Sequence, residues 1–95
     1  MGKSIGVLEV YGTSNGFEAA EACYQAKEIT IESLEIGRIR HFPGEKSGIL
    51  VRVAVRGSLV AVEAAVSKGV KIALKTADLR YHQILSDPVS DAGSV

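Results

Sequence analysis

The chain has 95 residues, of which 46% are hydrophobic, which is enough for one domain with one small core. Eleven basic side chains balance eleven acidic ones, so no overall electric field favours nucleic acid. The single cysteine, Cys23, excludes an internal disulfide and a CxxC zinc site, and no apolar run approaches the roughly 20 residues of a membrane span. We therefore expect a protein of the reducing cytoplasm.

The first part of the chain predicts a strand, a helix and a second strand. Residues 4 to 11 are mostly β-branched or aliphatic, which favours a short buried strand. Asn15 is followed three residues later by Glu18, a capping-box spacing that predicts a helix from Asn15 to about Lys27. Residues 29 to 36 then favour a second strand, whose glutamates indicate that it is partly exposed to solvent.

The second half opens with the clearest strand pattern in the chain. From Ile49 to Arg56 valines alternate with arginine and alanine, so one face is predicted to be core. Ser58 is a favourable N-cap for a second helix, which the pattern ends at Lys68 with Gly69 as its C-cap glycine. Residues 70 to 74 fit either an extended continuation or an irregular packing segment, and the sequence leaves both open.

One more strand and a tail complete the chain. Residues 79 to 84 alternate, with Leu79 and Tyr81 on one face, and this predicts a final strand. Residues 86 to 95 have no periodicity and are expected to form a flexible tail, which leaves residues 1 to 85 as the single domain.

An internal repeat with an offset of 45 residues underlies this order. Val10-Tyr11-Gly12, five residues and Glu18-Ala19-Ala20 recur as Val55-Arg56-Gly57, five residues and Glu63-Ala64-Ala65. Two strand-turn-helix units, each needing a return strand, predict an α+β fold of the ferredoxin-like βαββαβ type. We expect a four-stranded antiparallel sheet with both helices on one face and right-handed crossovers.

The connection from Gly37 to Gly48 is the strongest candidate for a functional segment, because compact domains usually join neighbouring strands with far fewer residues. Arg38, Arg40 and Lys46 outnumber Glu45, so the segment is basic. A solvated surface loop would explain it in an isolated monomer. Repeated around a symmetry axis, the same segment would form a basic ring that selects anions.

Motifs for catalysis or for tight ligand binding are missing from the sequence. Neither helix follows a glycine-rich phosphate motif, and no triad or paired-carboxylate spacing involves the two histidines, His41 and His82. Cys23 lies in an alanine-rich helix, where a buried apolar role outweighs a reactive thiol. The sequence therefore predicts a protein that is not an enzyme and has no cofactor and no metal site.

Two stretches resemble the bacterial microcompartment shell protein domain (BMC domain). They are residues 5–12 with 18–22 and 29–31, and residues 53–65 with Lys68-Gly69. The resemblance implies a single-domain shell subunit that self-assembles into a cyclic homohexamer, with other shell proteins and encapsulated enzymes as partners, in a cytoplasmic organelle. It also implies that the connection from Gly37 to Gly48 lines a pore for metabolites, and the basic charge of this connection favours small polar or anionic ones. The pore-lining candidates are Gly37, Arg38, Ile39, Arg40, His41, Phe42, Pro43, Gly44, Lys46, Ser47 and Gly48.

The sequence departs from the family pattern in the loop and at the expected edges. Family pores come from a short Gly-Ser-Gly-type turn, whereas this connection is longer; Phe42-Pro43 stands where some relatives have a cluster-binding cysteine before proline, so no iron–sulfur cluster is expected. Sheet-forming relatives have a lysine where this chain has Gln25. The candidates for contacts between subunits or hexamers are Gln25, Lys27, Arg56 and His82.

Two other classes of function compete with the shell interpretation. The first is a ferredoxin-like regulatory module that binds a small anionic ligand through the basic loop and acts as a dimer or trimer. The second, a binder of single-stranded RNA, is disfavoured because the paired aromatic residues that stack bases on a sheet are missing.

Overall fold

The computed structural model describes residues 4–26, 28–39 and 48–86. Within these ranges, four strands and two helices follow the predicted βαββαβ order. The elements are β1 (Ser4–Tyr11), α1 (Thr13–Tyr24), β2 (Ile29–Ile39), β3 (Gly48–Gly57), α2 (Leu59–Lys75) and β4 (Leu79–Leu85). Residues 87–95 of the predicted tail lie outside the described residues.

The strands form one sheet in the order β2-β3-β1-β4, and every neighbouring pair is antiparallel. Alternate residues of β1 and β3 point to the helices, so Leu8 and its partner Val53 are buried while Arg52 is exposed. Both helices cover this one face, and the other face of the sheet is open. The structure thus confirms the predicted ferredoxin-like α+β architecture.

The core lies where the two helices cross the central strands. Ala19 and Cys23 of α1 and Val62 and Ala65 of α2 are all fully buried, at 0% exposure. These small side chains let the two helices approach each other and the sheet closely. Burial of apolar area on this one side is what stabilises the domain.

The predicted end of α2 at Gly69 was wrong. The helix continues to Lys75, and Gly69 lies buried in its interior. A Cβ atom at this position would lie 2.5 Å from Leu8 Cδ2 and 2.7 Å from Cys23 Sγ, so the missing side chain serves helix packing. Neither alternative for residues 70–74 is correct, since they are helical and Ala73 extends the buried stripe.

The predicted capping box at Asn15 was also wrong. The helix begins at Thr13 after Gly12, whose φ of 88° is accessible to glycine without strain, and no side chain caps this end. Asn15 instead lies in the first turn and donates from Nδ2 to Asp78 Oδ2. The predicted cap of α2 is confirmed, because Ser58 Oγ accepts a hydrogen bond of 3.2 Å from the Ala61 N–H group.

A β-bulge changes the predicted alternation of the last strand. Glu9 pairs with Tyr81, but the next residue of β1, Val10, pairs with Leu79. Leu79 therefore shares the helix side of the sheet with Val10, while Tyr81 shares the open side with Glu9. Placing Leu79 and Tyr81 on one face was wrong because the extra residue at position 80 shifts the phase by one.

Candidate functional site

The ends of the long connection are strand, which corrects the prediction of a loop from residue 37 to residue 48. The ladder between β2 and β3 continues through the pairs Gly37↔Leu50, Arg38↔Ile49 and Ile39↔Gly48. The β1 ladder with β3 ends at Tyr11↔Leu50. The last two pairs of β2 and β3 therefore form a two-stranded arm that extends past β1, and this arm carries the candidate segment.

Three of the predicted pore residues, Arg38, Ile39 and Gly48, lie on this arm, and Gly37 lies in the ladder directly before it. Arg38 is exposed and is on the same side of the ladder as Ile36 and Ile49, which is the helix side. The other candidates lie outside the described residues. They are Arg40, His41, Phe42, Pro43, Gly44, Lys46 and Ser47.

The predicted contact residues lie on separate elements. Gln25 is exposed and is the C-cap of α1, and His82 is exposed on the edge strand opposite Leu8. Arg56 Nη2 lies 3.3 Å from Glu32 Oε1, an ion pair that joins β3 to the bulge of β2. Lys27 lies outside the described residues. The structure does not bring Gln25, Arg56 and His82 together into one patch.

An uncovered apolar surface at the β2 edge was missed by the sequence analysis. We call Phe17, Tyr24, Ile31, Leu34 and Ile36 the β2 flank. Helix α1 packs over β3, with Gly16 directly against Val51, and so it leaves the edge strand bare. Leu34 is 45% exposed and Ile36 is 54% exposed although both point to the helix side.

The β2 flank includes a groove of about 430 Å³ beneath the exposed edge of α1. Its lining is almost wholly apolar and includes Phe17, Tyr24, Ile31 and Leu34. The sequence does place Phe17 and Tyr24 on one side of a helix, but it cannot show that no strand or helix covers that side. Exposed apolar surface of this kind is typical of a contact with another protein.

A second uncovered apolar surface lies at the opposite edge of the sheet. We call Leu59, Val70 and Leu74 the α2 flank. The helical spacing places them on the side of α2 that is turned away from α1, and therefore towards the β4 edge. Leu59 and Leu74 are 44% and 59% exposed, whereas Val70 is half-buried. The domain thus leaves apolar side chains bare at both ends of the strand order.

The open face of the sheet carries a neutralised charge cluster. Glu9 of β1 is buried between an arginine from each neighbouring strand. Its Oε2 lies 3.5 Å from Arg52 Nε, and its Oε1 accepts a hydrogen bond from Arg80. Two guanidinium groups compensate the desolvation of one carboxylate here, and the cluster links β1 to both of its neighbouring strands.

Among residues 4–26, 28–39 and 48–86, the one cysteine is not reactive and no metal centre is found. Burial raises the pKa of the Cys23 thiol to about 11, a shift that a backbone hydrogen bond with Gly69 partly opposes. Its neutral, buried thiol cannot attack a substrate. No group of three His, Cys, Asp or Glu residues lies close enough within these ranges to hold a metal ion, and no helix there could cross a membrane.

The fold and these surfaces define a class: a small α+β domain whose exposed apolar residues lie at both edges of its sheet and whose central hairpin projects as an arm. The model of the BMC domain family matches residues 4–88 of the chain. The chain belongs to this family, and it is a structural shell subunit of the bacterial microcompartment type.

A solved structure of a microcompartments protein from Desulfitobacterium hafniense DCB has a similar fold. The TM-score is 0.71 and the sequence identity is 24%, over 87% of this chain and 40% of that one. The chain therefore spans less than half the length of that protein. No curated protein sequence matches the chain.

Proposed function

We propose that this shell subunit forms a cyclic homohexamer in which the segment from Gly37 to Gly48 lines a central pore. The observation that carries the proposal is the position of the β2 flank and the α2 flank at opposite edges of one sheet. When two different surfaces meet between copies, the contact is heterologous. Such a contact closes into a ring when the rotation from one copy to the next is a whole fraction of 360°. Family membership favours sixfold closure.

The direction of the β2–β3 arm supports the pore. The arm extends past the end of β1 along the direction of the strands. In a ring whose strands point towards the axis, the arms of all copies would meet at the centre. Arg38 is an exposed cation on the arm, and the sequence adds Arg40 and Lys46. A ring of such side chains would concentrate small anionic metabolites and repel cations.

The setting that we propose is the shell of a microcompartment in the cytoplasm, with other shell proteins and encapsulated enzymes as neighbours. In this role the chain is not an enzyme and requires no cofactor. Its residues bind and orient copies of the chain, and the pore residues discriminate between solutes by charge and size.

Native mass spectrometry of the purified chain, combined with electron microscopy, tests the ring. Six copies with central density support the shell proposal. Two or three copies contradict it and favour the alternative of a regulatory module that binds an anionic ligand.

The pore is tested separately by replacing Arg38 and Arg40 with alanine in the intact ring. We expect an unchanged copy number and a loss of sulfate or phosphate density on the axis. Lys75→Ala is the matched control, because it removes an exposed cation of α2, which lies away from the arm. Unchanged anion density in the Arg38→Ala, Arg40→Ala variant would contradict the proposed selectivity.

A further inference from the structure

The outward surface of the helix layer carries two stripes of opposite charge. Glu18 and Glu21 are exposed on α1, and Lys68 and Lys71 are exposed on α2. We call these four residues the outer helix face. The helical spacing places Glu18, Glu21 and Lys71 on the side of their helix opposite the buried residues, and it places Lys68 between that side and the stripe of Ala61 and Ala65. They therefore point away from the sheet and towards whatever lies above the helices.

These charges have no ion-pair partner within residues 4–26, 28–39 and 48–86. The ion pairs there join Glu9 and Glu32 to arginines of the sheet, and none involves the outer helix face. Within these ranges no ion pair joins one stripe to the other. An electrostatic contact with another molecule is open to all four.

The contact at Gly69 fixes the relative positions of the two stripes along the helix axes, which we call their heights. A Cβ on Gly69 would lie 2.7 Å from Cys23 Sγ and 3.3 Å from the Ala19 carbonyl oxygen, so Gly69 is level with the middle of the Ala19–Cys23 turn. The helices run in opposite directions because β1 and β3 are antiparallel and each helix returns along its strand. Counting outward from Gly69, Lys68 is level with Glu21 and Lys71 with Glu18, to within about one residue, or roughly 1.5 Å.

This arrangement is self-complementary under one particular rotation. A twofold axis parallel to the helices, above the line between them, places α1 of one copy over α2 of the other and keeps all heights unchanged. Glu18 of one copy then meets Lys71 of the second, and Glu21 meets Lys68. An axis across the helices would place α1 over α1, so that glutamates meet glutamates, which is unfavourable.

We propose that two copies of this chain dock face to face through the outer helix face, with α1 of each copy over α2 of the other. The contact goes beyond the proposed ring, since it uses neither the β2 flank nor the α2 flank. Exposed ion pairs are weak one at a time, so the association depends on all of them and on low salt. In a ring, simultaneous repetition of the contact would strengthen it through avidity.

Sedimentation analysis at about 0.01 M and about 1 M salt tests the docking, because the Debye length falls from roughly 30 Å to roughly 3 Å between them. We expect the particle mass at low salt to be twice that at high salt, whether the high-salt particle is a monomer or a ring. The ring and the docking can therefore fail independently. A mass that is equal at both salt concentrations would overturn the docking.

Charge reversal identifies the surface. The double variant Lys68→Glu, Lys71→Glu has a wholly acidic outer helix face, and the double variant Glu18→Lys, Glu21→Lys has a wholly basic one. Neither should double in mass at low salt, because like charges would meet between the two copies. An equimolar mixture of the two should double again, because an acidic face then meets a basic one. Doubling by either variant alone, or none by the mixture, would contradict the proposed pairing.

A single reversal provides the matched control. Lys75 is an exposed lysine of the same helix, but it lies about one turn beyond the level of both glutamates. Lys71→Glu should raise the dissociation constant of the doubled particle about tenfold or more, whereas Lys75→Glu should change it far less. Equal effects of the two reversals would point to net charge alone and would overturn the proposed register.

Discussion

At the scale of single residues, the packing around Gly69 decides how closely α1, α2 and β1 approach. Replacing an exposed helical glycine by alanine stabilises a helix by about 1 kcal/mol. At Gly69 the added methyl would lie 2.5 Å from Leu8 Cδ2 and 2.7 Å from Cys23 Sγ, and overpacking of this kind costs about 1–3 kcal/mol. We expect Gly69→Ala to lower the free energy of unfolding, as measured in urea.

The control for Gly69→Ala is the reverse change at an exposed position of the same helix. Ala64 is exposed, so Ala64→Gly reports helix propensity alone and should cost about 1 kcal/mol. A Gly69→Ala protein that unfolds at higher urea than the parent would show that propensity outweighs packing at residue 69.

The thiol of Cys23 gives the fold a definite alkaline response. Burial raises its pKa from 9.0 to about 11, so the folded protein keeps this proton at pH values where the unfolded chain has lost it. The folded state then binds more protons between pH 9 and 11, and stability falls as the pH rises through that window. The loss from this group is about 2 kcal/mol, and it is absent below pH 8.

Comparison with Cys23→Ala isolates that contribution, since lysines and tyrosines titrate in both proteins. The difference in unfolding free energy between the parent and Cys23→Ala should shrink from pH 8 to pH 11. A difference that is independent of pH would show that the thiol ionises as readily in the folded protein as in the unfolded chain.

At the scale of the elements, the start of α2 depends on a side-chain cap, so removal of this cap should lower the stability of the protein. Ser58 Oγ accepts the Ala61 N–H group, so Ser58→Ala should destabilise the protein by about 1 kcal/mol. Ser67 is exposed in the middle of the same helix, where alanine is the better helix former. Ser67→Ala should therefore be neutral or slightly stabilising in the same thermal unfolding experiment. Equal losses in both variants would exclude a capping role for Ser58.

Patterns that depend on neighbouring residues in the chain were readable from the sequence. The valine alternation of β3 and the repeat around Gly12 and Gly57 predict the βαββαβ order of elements along the chain, because side chains alternate across a strand whatever surrounds it. The serine cap of α2 is local in the same way.

Features that depend on contacts distant in sequence were not readable. Gly69 looks like a C-cap, yet its role comes from Leu8 and Cys23, which are far away in the chain. The Glu9–Tyr81 register and its bulge depend on how two separate strands meet. For the candidate site, the basic composition was visible, but the strand character of Gly37 depends on its pairing with Leu50. The exposure of Leu34 depends on where α1 lies over the sheet.

At the scale of the whole molecule, the part of the chain that the structure describes has two different apolar edges. The β2 flank joins aromatic residues of α1 to an edge strand, whereas the α2 flank consists of helix side chains beside β4. A pair of copies that contacted each other through one flank would leave the other flank in water. Head-to-tail association covers both flanks with a single kind of contact.

This asymmetry predicts a specific result when the two flanks are damaged in separate proteins. Leu34→Glu and Leu74→Glu each place a charge on one partly exposed flank residue, which should leave the fold intact. Either variant alone should fail to form rings, because every contact needs one β2 flank and one α2 flank. An equimolar mixture should give heterodimers, since each pair retains one intact contact and cannot extend further. Val60→Glu, at a 77% exposed position outside both flanks, should assemble like the parent. Light scattering that finds monomers in the mixture, or rings in either single variant, would contradict the head-to-tail arrangement on which the pore depends.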